Sequence, residues 1–300
     1  MASRDRVAAR TSLSPFASRR VRTALSRGMT YLLLTMGALL LLIPLAWMVS
    51  TSLKQPGDVL KFPPEWMPQP VVWRNYIDAV SLDYAPFGVF FKNTLIITFV
   101  GMTGQVLSSS AVAYSFARLR WSGRDVLFMV VLATMMLPYQ VTLIPVFIIF
   151  RKLNWVDTLL PLTIPAFFGG GAFNIFLLRQ FMMSIPLEMD DAARIDGCGT
   201  ADIYARIILP MARPALITVG IFSFLAHWND FIGPLIYLNS MRNYTLSLGL
   251  RIIQGYGGYS VQRMDLLMAA SLIVMLPVLL LFFVAQRYFI QGVVVSGVKG

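Results

Sequence analysis

Glu188, Asp190 and Asp191, followed by Ala192, Ala193 and Gly197 and then by Ile207, Leu209 and Pro210, are the most informative polar stretch of this chain. The pattern reads acidic-Ala-Ala, three residues, Gly, nine residues, Ile-x-Leu-Pro. Its chemistry is docking. Carboxylates offer charge to a basic partner, and alanines allow close approach. Pro186 suits the first position of a helix whose opening turn carries Glu188, Asp190 and Asp191, where negative charge complements the helix dipole. Gly197 suits a left-handed end to that helix. Thr200 is placed to cap a second short helix with Asp202 in its first turn, and Leu209-Pro210 to stop it. An ordinary amphipathic helix lying on lipid is the other reading. Such helices favour Lys and Arg against anionic headgroups, whereas this one opens with acids, which favours a protein partner.

A second cluster, His227-Trp228-Asn229-Asp230, lies near one end of an apolar run. An ionisable residue in such a run is costly and by default functional. Trp228 suits stacking on the C–H faces of a sugar, and Asn229 and Asp230 suit bonding to hydroxyls. Hydrogen bonding of Asn229 to a neighbouring helix is the packing alternative. A third stretch, from Gln254 through Tyr256 to Tyr259, is rich in glycine and offers adaptable contacts with a partner. It reads equally as a plain flexible loop. Catalysis finds no support. The single cysteine, Cys198, cannot form an intrachain disulfide or a thiolate cluster, and the single histidine, His227, cannot form a multi-histidine metal site. No Gly-rich Lys-Ser/Thr phosphate loop occurs, so this chain does not hydrolyse ATP itself, and any energy source must be another subunit or an ion gradient.

The elements that must carry these groups are membrane helices. Of the 300 residues 57% are hydrophobic and only 13% charged, half the share of a soluble domain. Apolar runs near Met29–Ser50, Phe90–Ala113, Val126–Phe150, Leu159–Phe181, Pro214–Leu238 and Leu266–Phe289 are each long enough to span. None alternates like a barrel strand, and helices satisfy their own backbone in lipid. The expectation is an all-α membrane protein with six transmembrane helices. The net charge of +11 does not point to nucleic acid, because the basic residues crowd the flanks of the spans. Arg4, Arg6, Arg10, Arg19, Arg20, Arg22 and Arg27 precede the first span, and Arg118, Arg120 and Arg124 follow the second. Positive loops face the cytoplasm, which puts both termini and the acidic segment there, the segment lying between spans four and five.

Residues 1–27 are expected as a basic, disordered cytoplasmic tail on an uncleaved first span, attracted to anionic lipid, and residues 28–300 as one transmembrane domain. Residues 186–210 form its cytoplasmic loop, and residues 51–89 and 239–264 its larger outer loops. Outer loop one holds six prolines with Trp66, Trp73, Tyr76 and Tyr84, either an interfacial aromatic belt or a docking ledge. Pro138, Pro145, Pro161, Pro165 and Gly169-Gly170-Gly171 interrupt spans three and four. Broken backbone in lipid must face protein or a water-filled cavity, so these spans either line a path or pack as kinked helices.

The acidic-Ala-Ala to Leu-Pro pattern resembles the cytoplasmic coupling-helix signature of the membrane subunits of ABC-type importers, with Asp191 where Glu is usual. Three further strings resemble sugar-importer permeases: Ser52-Leu53-Lys54 with Phe62–Trp66 and Asn75-Tyr76, Phe222 with Trp228–Phe231, and Ser296–Gly300. The likeness runs over Met29–Gly300. It implies a permease subunit of a binding-protein-dependent sugar importer of the maltose type, in a bacterial-type cytoplasmic membrane. It implies as partners two ABC ATPase subunits, a second, different permease chain, an extracytoplasmic binding protein and a sugar substrate. ATP and Mg would reside on the ATPases and no cofactor on this chain. Asp191, Ala192, Ala193 and Gly197 would form the contact core for an ATPase, within a lever from Glu188 to Pro210. Ile207, Leu209 and Pro210 would connect that core rigidly to span five, and loop three would reach the binding protein. An ABC importer of glycerol-phosphate diesters or another solute is the nearest alternative. An ion-coupled secondary transporter would need intramembrane carboxylates, and only Asp230 offers one.

Overall fold

The computed structural model describes residues 15–255 and 263–297, with side chains over 23–255 and 263–286. It is helical throughout, with no strand among the described residues. In chain order the helices are α1 (Pro15–Ser52), α2 (Arg74–Val80), α3 (Phe87–Arg118), α4 (Arg124–Thr134), α5 (Tyr139–Lys152), α6 (Leu160–Thr163) and α7 (Ala172–Met183). There follow α8 (Glu188–Ile195), α9 (Thr200–Asp202), α10 (Leu209–Met211), α11 (Arg213–Trp228), α12 (Ile232–Tyr237), α13 (Leu246–Gly255) and α14 (Met264–Gly297). Outer loops one and three thus contain the helices α2 and α13.

Four segments are long and apolar enough to cross a membrane: Thr23–Ser52, Phe87–Arg118, Leu160–Met183 and Met264–Gln286. Two bent pairs raise the number to six if each counts as one span. The third span, expected to be interrupted at Pro138, is α4 and α5, meeting at 99°. The break falls at Met135–Pro138, where Pro138 has no N–H to continue the ladder and disfavours helical backbone in the residue before it. The expected fifth span is also divided, into α11 and α12 with Asn229–Phe231 between them. Its lower end turns 78° from α9–α10 at Ala212.

Helix α3 is the centre of the fold, packing on α7, α11 and the 3-10 turn Ile164–Phe167. Small residues permit this. A Cβ on Gly101 would strike the His227 ring, and one on Gly104 the Phe167 ring. Span four crosses the same helix at Gly169, Gly170 and Gly171, all with positive φ, a conformation open to glycine at no steric cost. Gly170 rests so closely on Ser109 and the Gln105 carbonyl that no side chain fits. The freed backbone is answered by side chains. Ser108 Oγ donates to the Ala166 carbonyl at 2.8 Å, and the Asn174 amide donates to that of Gly170 at 2.9 Å.

Buried apolar side chains form two clusters along α3. One gathers Tyr114, Phe116, Phe128, Leu178, Met182, Ala193, Ile203 and Ile208 around the acidic loop. The other gathers Phe90, Phe224, Trp228, Leu246, Ile253 and Leu266, and its packing extends to Tyr76 and Tyr84 of the first outer loop. That loop is itself anchored: the Asn75 amide donates to the carbonyls of Ser52 and Lys54 at 2.9 and 2.8 Å. Lys54 is buried, its ammonium 3.9 Å from the centre of the Trp47 ring and without a hydrogen-bond partner among the described residues.

Candidate functional site

Helix α8 has two faces. Leu187, Glu188, Asp191, Ala192 and Ile195 point outward, Ile195 being 87% exposed, while Asp190 and Ala193 are buried against the chain's own core. Ala193 is therefore a packing residue, and of the expected alanine pair only Ala192 is presented. Asp191 is open to solvent and makes only an exposed 3.5 Å ion pair with Arg194.

The end of α8 matches the expectation for Gly197. Its φ is +85°, the Cys198 N–H reaches the Ala193 carbonyl at 2.9 Å, and the Gly197 N–H reaches that of Arg194 at 3.0 Å. This is the six-to-one and five-to-two pairing of a Schellman end. Three local expectations shift. Pro186 lies two residues before the helix, where its missing N–H costs no helical bond. Thr200 is the first residue of α9 and extended Gly199 precedes it, with no side-chain cap. Leu209 and Pro210 do not stop the helix, which runs on to Met211 through a π-helical stretch, Ile203–Ile208. Pro210 cannot donate to the carbonyl four residues back, and widening the preceding turn accommodates its ring. Ile208 is buried, Ile207 and Leu209 half-buried, and Pro210 exposed.

The loop is fastened to the C-terminal end of α3 by three side chains spaced one turn apart. Ser110 Oγ lies 2.8 Å from Tyr204 Oη. Tyr114 Oη donates to the Thr200 carbonyl at 3.2 Å, and its ring meets that of Tyr204 at 5.0 Å between centroids. Arg118 donates from Nη2 to the Ile185 carbonyl at 2.8 Å and faces Asp190, with Nε 3.9 Å from Oδ2. The charged atoms of both side chains are almost wholly buried. Sequence reading missed Arg118 and Asp190, because one looked like a flanking positive charge and the other like a first-turn acid. The usable signal was the series Ser110, Tyr114, Arg118, polar at every fourth residue of an apolar helix.

A cavity of about 560 Å³ opens between α3, α5, the broken fourth span, α11 and α12. Gln105, His227, Asp230, Tyr139, Tyr237 and Phe168 are among the residues lining it. The two proline- and glycine-broken spans thus line a space. Asp230 is held beside it by the Gly233 N–H, which donates to Oδ1 at 3.0 Å. His227 Nδ1 donates to the Ser223 carbonyl at 2.8 Å, which leaves Nε2 for other partners. Gln105 Oε1 is buried with no hydrogen-bond partner among the described residues.

Of the three expected path residues, only Asp230 lines the cavity. Trp228 is buried on the other side, stacked on Phe224 at 5.4 Å with its indole N–H donating to the Val274 carbonyl at 3.2 Å. Asn229 is exposed and donates to the Leu225 carbonyl of its own helix at 3.0 Å, not to a neighbour. Gln254 is exposed at the end of α13, where Arg251 donates to it at 3.1 Å. Tyr256 and Tyr259 lie outside the described residues.

At the opposite end of the bundle from the acidic loop, Asp157 ties two loops together. Its carboxylate accepts from the backbone N–H groups of Asn239 and Ser240 at 2.9 and 2.7 Å, and from the Ser240 hydroxyl and the Asn243 amide. These bonds hold its carboxyl well below the usual aspartate range. Burial, by contrast, pulls the Lys54 ammonium below its ordinary value, against the opposing pull of Glu65 and Asp58.

Comparison with known proteins places this geometry. Residues 106–295 match the family described as "Binding-protein-dependent transport system inner membrane component". The arabinooligosaccharide transport permease AraQ of Halalkalibacterium halodurans is 35% identical over 263 residues, covering 87% of this chain and 90% of that one. The diacetylchitobiose uptake permease DasC of Streptomyces coelicolor is 30% identical, covering 87% and 92%. The sn-glycerol-3-phosphate transport permease UgpE of Yersinia enterocolitica is 29% identical, covering 89% and 95%. Among solved structures, a chain of a bacterial ABC transporter for alginate import superposes with a TM-score of 0.78 at 23% identity, covering 93% of this chain and 99% of that one.

Proposed function

The chain belongs to the family of binding-protein-dependent transport system inner membrane components, and from that membership we propose that it is a permease subunit of an ATP-driven importer that carries an oligosaccharide. It works with two ABC ATPase subunits, a second, unlike permease chain and an extracytoplasmic binding protein. ATP and Mg bind to the ATPases, and this chain supplies coupling and part of the path. The spans alternate from a cytoplasmic N-terminus, which puts α8 on the ATPase side.

The observation that carries the reading is the two-faced α8. A helix face showing Leu187, Asp191, Ala192 and Ile195 is exposed, not covered by any other element among the described residues, while its opposite face is buried. Apolar side chains with the carboxylates of Glu188 and Asp191 among them suit a pocket on a soluble protein better than an anionic lipid surface. Closure of the ATPases displaces this helix, and the bundle rocks to open outward. The cavity favours a neutral hydroxylated substrate: aromatic rings supply stacking faces, and Gln105, His227 and Asp230 supply hydrogen-bonding groups. None of its lining residues is Lys or Arg, as a phosphate diester would require.

The test is purification of the tagged chain from its native membranes in mild detergent, with mass spectrometry of what accompanies it. The expected result is an ABC ATPase and one further permease of different sequence. The chain alone, or with copies of itself only, under conditions that keep other membrane complexes intact, overturns the reading.

A further inference from the structure

Arg118 and Asp190 are a buried pair with incomplete bonding. Arg118 Nε and Asp190 Oδ1 are both buried without a hydrogen-bond partner among the described residues, and their closest charged contact is 3.9 Å. An ion pair taken out of water compensates its desolvation only when geometry and hydrogen bonds are good. A small slide of α8 along α3 would turn the single long contact into a bidentate one and satisfy both orphan atoms. The pair therefore has an arrangement better than the one it occupies here, reached by moving the helix on which a partner would dock.

The helix at the other end of this pair is a stiff route inward. Span four is interrupted at Gly169–Gly171, directly above α7, and α11 is separated from α10 by a 78° bend. By contrast α3 runs without interruption for 32 residues, about 48 Å of helix. Gln105, on the cavity wall, lies on that same unbroken helix, thirteen residues before Arg118.

We propose that Arg118 and Asp190 form a transmission joint that delivers displacement of α8 directly to α3, and so to the cavity wall at Gln105, in parallel with the connection through Ile207–Pro210 to α11. The inference rests on the importer reading above. Both are positioning residues and touch no substrate. Tyr114 and Ser110 guide the slide, since both hold the α9 end of the loop to the same face of α3.

The experiment uses the whole complex, copurified with the tagged chain and placed in nanodiscs. Cys198 is replaced by Ser, and Gln105→Cys serves as the reporter. Labelling by a membrane-impermeant maleimide is measured with and without Mg-ATP and vanadate. With Arg118 and Asp190 native, trapping changes the labelling rate. The informative variant is Arg118→Met with Asp190→Leu, which removes both charges together and leaves no orphan buried ion, so the bundle stays folded. It is expected to keep its ATPase and to lose the nucleotide-dependent change, while Arg118→Lys with Asp190→Glu retains part of it. A Met/Leu variant that responds like the native pair overturns the joint, as does a native pair whose Gln105→Cys labelling ignores nucleotide. Loss of the ATPase from the Met/Leu variant also overturns it, because the pair then serves docking. Absence of any ATPase from the native complex sinks the importer reading instead.

Discussion

At the scale of single residues, backbone and charge decide separately. Nothing lies within 4 Å of a Cβ placed on Gly197, so a side chain there meets open space and only the left-handed backbone resists it. That costs about 1–2 kcal/mol for an ordinary residue, more for a β-branched one. Gly197→Val should therefore leave insertion intact but unseat the end of α8, with ATPase copurification and uptake both falling sharply. Gly197→Asn, tolerated in this conformation, should lose much less. Asp230→Asn separates charge from shape: oligosaccharide uptake is expected to fall while ATPase copurification stays normal. Asp157 offers a pH test. Its pKa is lowered in the folded chain, so its contribution is complete above the ordinary value of 3.8 and is lost only as pH falls below that toward the folded value. Hydrogen-exchange protection of the Ser240 amide, corrected for intrinsic rate, should hold from about pH 7 to about pH 5. Asp157→Asn should lower it about tenfold at all these pH values, the worth of one hydrogen bond to a charged acceptor, ~1.5 kcal/mol. Gly197 was legible in the sequence because its left-handed backbone is a local property. Asp190, Arg118 and Asp157 were not, because burial and cross-loop bonding give them their meaning, and no spacing rule reports either.

Helices and their breaks were legible in kind but not in angle. Proline and glycine mark where spans three and four fail, since a missing N–H or a left-handed residue is a property of the residue itself. The 99° turn between α4 and α5 depends on what the two halves pack against, which single-sequence hydropathy does not contain. The π-helical stretch before Pro210 was hidden for the same reason: the proline announces a fault, and the surrounding core decides whether the helix ends or widens. The small residues of α3 make a sharper statement. Gly101 lies under the His227 ring and Gly104 under Phe167, so a larger residue forces α11 or span four outward. Gly101→Leu is expected to lower stability by about 1–3 kcal/mol, seen as a lower melting temperature in detergent. The same substitution at Gly37, where nothing lies within 4 Å, should change little.

For the whole molecule, the two buried clusters along α3 divide the work, one around the acidic loop and one beneath the outer loops, with the cavity beside the helix that joins them. Composition revealed a membrane bundle, and a motif of about twenty residues pointed to its family. The cavity needed three dimensions, because Gln105, His227 and Tyr139 come from three separate helices. Helix α1 packs on α14, yet residues 23–42 are exposed along their whole length, while its C-terminal end is tied down by Ser52, Asn75 and the Lys54 ammonium beneath Trp47. A rod gripped at one end behaves as a pendulum hung from that end. When the bilayer thins or thickens, Trp47 keeps its depth and the mismatch is taken up entirely at the other end. Arg27 then moves through the headgroup layer at that end, so bilayer thickness sets how deeply this arginine sits among the lipids.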